Sequence, residues 1–217
     1  MLGEEFGETP GAPANAARAA RYRWVLDPVD GTRAFITNCF LFGTLIALER
    51  WHDDGVGPGY RPLLGAIAHA AAGQALIGHA GGCTLFAADG TQRPARVRPC
   101  TRIEDATLLV TSLWTVGEQR QAPNVGRIER LAERARLTRT WGDCFGYFAL
   151  ATGGADLMLD PTLAYWDVAA IVPVVEGAGG RVSSWTGGDP LATPSLIATA
   201  GPLHDMVLAT LHDKTAR

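Results

Sequence analysis

The sequence contains no apolar run approaching the roughly 18 residues that a helical membrane span requires, which excludes that class of protein. Its opening, Met1-Leu2-Gly3-Glu4-Glu5, is acidic and lacks the basic-then-apolar pattern of a secretory leader. Strong charge of either sign is missing too: 19 Lys and Arg stand against 22 Asp and Glu, a formal net charge of −3. That balance gives no electrostatic reason to expect nucleic acid or an anionic membrane as the main partner. Cysteine is sparse, and Cys39, Cys83, Cys100 and Cys144 form no Cys-x-x-Cys pair. Buried free thiols in a reducing cytoplasm are expected, rather than disulfides or a zinc site. Neither a Gly-x-Gly-x-x-Gly nor a Walker loop occurs, which removes the common nucleotide-binding modules. His52, His69, His79, His204 and His212 have no visible triad partner, so a side-chain nucleophile is not indicated.

What is present suits a globular body with a real core: 217 residues, 47% hydrophobic and 19% charged. Pro10 to Arg21 reads as an Ala- and Pro-rich loop or short irregular helix. Trp24-Val25-Leu26 reads as a strand. Thr44 to Glu49, Leu63 to Ala68, Gln74 to Gly78 and Thr84 to Ala87 suggest an antiparallel meander, with a turn-rich stretch at Asp53 to Gly59. Arg93, Arg96, Arg98 and Arg102, near Pro94 and Pro99, read as a solvated loop or strand edge. Beyond Pro99, strands are predicted at Leu108–Val110, Leu157–Leu159, Val182–Ser184 and Leu196–Ala198. Helices are predicted at Val125–Arg136, Cys144–Thr152, Asp167–Glu176 and His204–His212. The alternation predicts an α+β chain of sheets layered with helices, one domain over residues 1–217 with sublayers of about 1–100 and 101–217.

The densest chemical signal is Trp24-Val25-Leu26-Asp27-Pro28-Val29-Asp30-Gly31-Thr32. A strand delivers two carboxylates, three residues apart around a rigid Pro, into a Gly-Thr step. Asp27, Asp30 and the Val29 carbonyl could converge on one hard cation, and Mg²⁺ favours such oxygen donors. A helix starting at Gly31 would turn free N–H groups toward a phosphate oxygen, and the Thr32 hydroxyl could orient a water. An ordinary acidic turn explains the same residues equally well. Glu4 and Glu5 alone read as solvent-facing. Asp167, between Trp166 and Val168-Ala169-Ala170, reads first as a helix cap, a role compatible with metal binding.

Three motifs in register, Gly3-Glu4-Glu5, Asp27-Pro28-Val29-Asp30-Gly31-Thr32 and Trp166-Asp167-Val168-Ala169-Ala170, resemble the signature of the inositol monophosphatase-like family. Gly31 to Ile36, Trp141-Gly142-Asp143-Cys144 and Val172 to Gly180 are similar to its histidinol-phosphatase branch. The resemblance implies a layered αβαβα sugar-phosphatase-like sandwich, a Mg²⁺-dependent phosphomonoesterase and a homodimer. It makes Glu4, Asp27, Asp30, Asp167 and the Val29 carbonyl the metal ligands, with Gly31 and Thr32 holding the phosphate and positioning the nucleophile. Asp160 would contact the polar end of the substrate, suited to the amino or imidazole group of histidinol; closing a strand before Pro161 accounts for it as well. Asp143 has a similar claim or simply caps a helix. The implied reaction is hydrolysis of L-histidinol phosphate, inositol phosphate or another sugar phosphate by metal-activated water, in which Asp30 and Thr32 serve catalysis.

The family carries several tens of residues ahead of its Gly-Glu-Glu loop, as paired helices against the sheet, including the acidic partner of the water-orienting threonine. The resemblance therefore implies a fold without those N-terminal helices. It also implies weaker Mg²⁺ binding and reduced or no activity for a 217-residue product, up to a non-catalytic remnant.

Overall fold

A computed structural model describes residues 1–5, 7–8, 22–52, 59–112 and 122–213, with the backbone alone for 122–125. The loop expected at Pro10 to Arg21 and most of that expected at Asp53 to Gly59 lie outside the described residues. Eight strands make the first sheet: β1 (Leu2–Gly3), β2 (Gly7–Glu8), β3 (Tyr22–Asp30), β4 (Gly43–His52), β5 (Gly59–His69), β6 (Gln74–His79), β7 (Gly82–Phe86) and β8 (Gln92–Pro94). Their spatial order is β2-β1-β3-β4-β5-β6-β7-β8, a meander from β3 onward with β1 parallel to β3. The period-2 alternation that suggested these strands is the burial pattern observed. Val25, Leu45, Ala47, Ile67 and Leu76 are sealed on the inner face, while Trp24 and Ile77 remain exposed on the other.

The second sheet has the order β10-β9-β11-β13-β12, from β9 (Thr107–Val110), β10 (Leu137–Arg139), β11 (Leu157–Asp160), β12 (Gly180–Ser183) and β13 (Leu196–Ala200). Strand β9 runs parallel to β10 and β11, and β13 is antiparallel to β11 and β12. Both of its faces are covered, so β9 and β11 are apolar at nearly every position and show no alternation in sequence. Short β10, unanticipated in sequence, completes one edge.

Helix α1 is a short element (Thr32–Ile36), followed by α2 (Ala122–Arg134), α3 (Asp143–Ala151), α4 (Tyr165–Gly177) and α5 (His204–His212). Helices α3 and α4 lie between the sheets, with α4 crossing β3 to β7 on one side and meeting β12 on the other. Leu109 and Met158 face that inner layer, whereas Leu108, Val110, Leu157 and Leu159 join Leu131, Val207 and Leu211 beneath α2 and α5. The described residues thus stack sheet, helices, sheet, helices. Helix α4 approaches β5 so closely that a Cβ on Gly65 would stand 1.9 Å from the Ala170 carbonyl oxygen. Only glycine fits there.

Two expectations need correction. Cys83, Cys100 and Cys144 are buried free thiols, but Cys39 is exposed, because it follows α1 on a surface loop. Arg98 does not simply dangle in solvent: its Nε donates to Asp156 Oδ1 at 2.7 Å, and Asp156 is fully buried. A carboxylate so enclosed needs a counter-charge, and the Thr107 N–H adds a 2.6 Å bond to it.

Candidate active site

In a regular strand, residues three apart point to opposite faces, so Asp27 and Asp30 should diverge. They do not, because β3 carries a bulge. Asp27 pairs with Leu45 and Asp30 with Gly43, so three steps on β3 match two on β4. The extra residue falls at Pro28-Val29, where Pro28 has no N–H for the ladder. The Val29 N–H is satisfied by Asp27 Oδ1 at 3.0 Å.

Asp167 arrives from the other side, on the first turn of α4. It is not the cap residue expected. The cap position is Ala164, whose N–H donates to Asp167 Oδ2 at 2.9 Å. Asp27, Asp30 and Asp167 each offer a carboxylate oxygen, and these lie within 4.8 Å of one another. Strand β1 adds Glu4: pairing of Gly3 with Leu26 and a 3.3 Å bond from the Glu4 N–H to the Leu26 carbonyl bring its side chain into hydrogen-bonding range of Asp27.

Crowding carboxylates away from water disfavours their charged forms. Burial first, then the hydrogen bond and charge of Glu4, push Asp27 up to about 8. Burial and the neighbouring Asp143 raise Asp30 to about 7, against the bond it accepts from Cys144. Burial likewise raises Asp167 to about 7, opposed by the Ala164 N–H. Among these residues no cation offsets the charge, and every donor is a hard oxygen. Cys144, beside Asp30, is held as a thiol by burial, its ionisation pushed well above the usual range. The donor set therefore fits a hard divalent cation and not a soft metal.

Gly31 caps α1 with φ 82°, in the left-handed region that glycine enters freely. The helix starts one residue later than expected, at Thr32. The Thr32 hydroxyl donates to the Val29 carbonyl at 3.2 Å, so two of the expected site groups touch. A Cβ on Gly31 would come within 3.2 Å of Asp143 Oδ2, which places Asp143 over the Gly-Thr step. Asp143 is the first residue of α3 rather than its cap, and takes φ 50°. Its N–H donates to Thr111 Oγ1 at 3.0 Å. Asp160, at the end of β11, is buried and accepts from the Tyr147 hydroxyl at 2.8 Å and from Thr111. Burial lifts it to about 7 against those two bonds.

Sequence reasoning missed Thr111 and Tyr147. Nothing local marks Thr111. A tyrosine within an otherwise apolar helix was a usable clue, since a buried hydroxyl needs a partner. Of the histidines, His204 does contact hydroxyls, with Ser183 at 2.9 Å and Thr199 at 3.0 Å. All three are buried, so they make a structural network and not a nucleophilic centre.

The sequence pattern described as the inositol monophosphatase family matches residues 1–216. The chain belongs to that family. It is 35% identical over 184 residues to the chloroplastic bifunctional phosphatase IMPL2 of Arabidopsis thaliana, covering 84% of this chain and 49% of the relative. It is 34% identical over 216 residues to the histidinol-phosphatase of Mycobacterium tuberculosis, covering 98% of this chain and 75% of that one. The chain thus spans about half the length of the first relative and three quarters of the second. Among solved structures, the inositol monophosphatase of Zymomonas mobilis aligns with a TM-score of 0.77 at 31% identity, covering 97% of this chain and 76% of that one. Family membership accounts for the layered sheets. Among the described residues, no helix is long and apolar enough to cross a membrane.

Proposed function

We propose that this chain hydrolyses a small phosphomonoester with a water molecule activated at a divalent-cation site, with Mg²⁺ as the ion and L-histidinol phosphate as the substrate. The observation that carries the reading is the meeting of Asp27, Asp30 and Asp167, from two sheet-and-helix layers, within 4.8 Å. Such a gathering of uncompensated carboxylates is costly without a cation to neutralise them. Glu4, Asp27, Asp30, Asp167 and the Val29 carbonyl would hold the ion or ions, and family members of this type use divalent metals. When bound, the metal lowers the pKa of a coordinated water and stabilises charge on the phosphate and the departing alkoxide.

The chain's own groups orient the rest. The Gly31 backbone, unhindered by a side chain, lets a phosphate approach the start of α1. Thr32 Oγ1, tied to the Val29 carbonyl, is placed to hold the attacking water. Asp143, beside Gly31, and Asp160, near Asp143 and Asp30, are the carboxylates this reading assigns to a cationic leaving group. An imidazole or ammonium fits that charge better than a neutral polyol does, which is why histidinol phosphate leads over inositol phosphate. The likeness to a named histidinol-phosphatase points the same way.

Phosphate release from histidinol phosphate, inositol 1-phosphate and other sugar phosphates, with Mg²⁺ and with a chelator, tests the proposal. Mg²⁺-dependent release strongest on histidinol phosphate supports it. Preference for inositol phosphate would replace the substrate and keep the chemistry. Absence of release from every substrate would identify a non-catalytic member.

A further inference from the structure

Helix α4 carries Asp167 on its first turn, where the bond from the Ala164 N–H to Asp167 Oδ2 is a local anchor. Ala164 at the cap has no side chain to accept a hydrogen bond. The first N–H groups of a helix have no intrahelical partner, so contacts from outside the helix help to fix where this turn sits. A partly buried polar cluster that begins two residues from Asp167 supplies one. Glu49 on β4 is fully buried. Its Oε1 accepts from the Tyr165 hydroxyl at 2.5 Å, and its Oε2 accepts from Arg23 Nε at 2.5 Å. Arg23 Nη2 closes the triangle by donating to the Tyr165 oxygen at 3.1 Å. The Arg23 guanidinium also lies 4.1 Å from the Tyr60 ring centre and 5.3 Å from that of Tyr165.

The three residues join the elements that hold the site. Arg23 shares the inner face of β3 with Asp27, four residues further along, and pairs in register with Glu49. Tyr165 opens α4. We infer that Glu49, Arg23 and Tyr165 are positioning residues, a clamp that docks the first turn of α4 on β3 and β4 and so fixes the separation of Asp167 from Asp27 and Asp30 for the divalent cation. Stability alone explains the cluster poorly. An ion pair with one partner fully buried is often no more stabilising than apolar residues of equal volume, and the rest of α4 is already seated on the sheet by the close contact at Gly65. What the clamp adds is a defined place for one end of the helix.

The inference rests on the proposed cation site, and its test separates the two. Mn²⁺ affinity is measured by calorimetry on the full chain for wild type, Tyr165→Phe, Arg23→Lys and the control Ile128→Val, with folding followed by circular dichroism. Tyr165→Phe keeps the ring and loses only the hydroxyl. Ile128 lies on α2 itself and is buried in the core beneath α2 and α5, away from the clamp. The clamp variants are expected to bind Mn²⁺ about 10- to 100-fold more weakly, the range seen when groups supporting metal ligands are removed, with wild-type affinity in the control. Phosphate release by Tyr165→Phe should recover as ion concentration rises, with the KM for substrate unchanged, which a general loss of packing would not produce. Wild-type affinity in folded Tyr165→Phe, or in Arg23→Lys should the first not fold, overturns the clamp. Equal weakening in Ile128→Val does so too. Absence of Mn²⁺ binding by the wild type overturns the cation site itself, and the clamp with it.

Discussion

Asp30 and Cys144 lie 114 positions apart, and the backbone N–H of Cys144 donates to Asp30 Oδ2. One oxygen of the carboxylate is thereby oriented from the second half of the molecule. The carboxylate is accordingly aimed and not merely present, since a bond from a helix backbone leaves it little freedom to rotate.

Asp30→Asn keeps the shape and the capacity to accept from Cys144 but removes the charge. Mg²⁺-dependent phosphate release is expected to fall by roughly a hundredfold or more, the scale on which preorganised charge stabilisation acts. The metal-free variant should melt no lower than wild type, because a crowded carboxylate has been neutralised. Rates and melting curves measured side by side check this, and unchanged turnover would remove Asp30 from the site.

A pH series follows from the raised carboxylates. Asp27, Asp30, Asp160 and Asp167 take values of about 7 to 8 when folded, against about 3.9 for an unfolded aspartate. Between those limits the folded state holds more protons than the unfolded one, so stability declines as pH rises. The metal-free protein should lose melting temperature from about pH 5 to pH 8. Divalent-cation affinity should climb over the same interval, because protons compete for the same oxygens. Thermal melts with a chelator and ion titrations at each pH would show opposite slopes, and parallel slopes would contradict the assignment.

Much of this arrangement was legible in the sequence wherever one segment carried its own signal. The His204–His212 helix has the predicted bounds, and the meander strands follow from alternation. Asp27 and Asp30 stood out because Pro28 and Gly31 punctuate them. What could not be read was pairing across distance. The register shift opposite Gly43, which turns both aspartates to one side, depends on β4. The Glu49–Tyr165 bond spans 116 positions, with two ordinary-looking residues at its ends. Arg98 looked like one of four scattered cations, and its role exists only because Asp156 is buried.

Gly65→Ala puts a methyl group where the Ala170 carbonyl already stands. Overpacking of this kind costs about 1–3 kcal/mol, and lifting α4 from β5 should carry Asp167 away from Asp27. Stability in urea and cation affinity should both fall. In Gly59→Ala, on the same strand, the nearest group is the end of Arg61 at 3.5 Å, so stability should stay within about 0.5 kcal/mol of wild type.

Asp160→Asn tests substrate choice. If Asp160 faces a cationic leaving group, kcat/KM for histidinol phosphate should drop at least about tenfold more than that for inositol 1-phosphate, because the lost attraction matters only to the charged substrate. Equal losses on both would assign Asp160 to structure, with Tyr147 as its partner.

The bulged strand brings its acids from the first sheet and α4 brings Asp167 from the helical layer packed on it, so neither layer makes the basin alone. An ion bridging them would act as a rivet between the layers, and its concentration would set how tightly they hold. Each tenfold excess over the dissociation constant adds about 1.4 kcal/mol to folding. Withdrawing the ion would thus loosen the joint as well as stop the proposed hydrolysis.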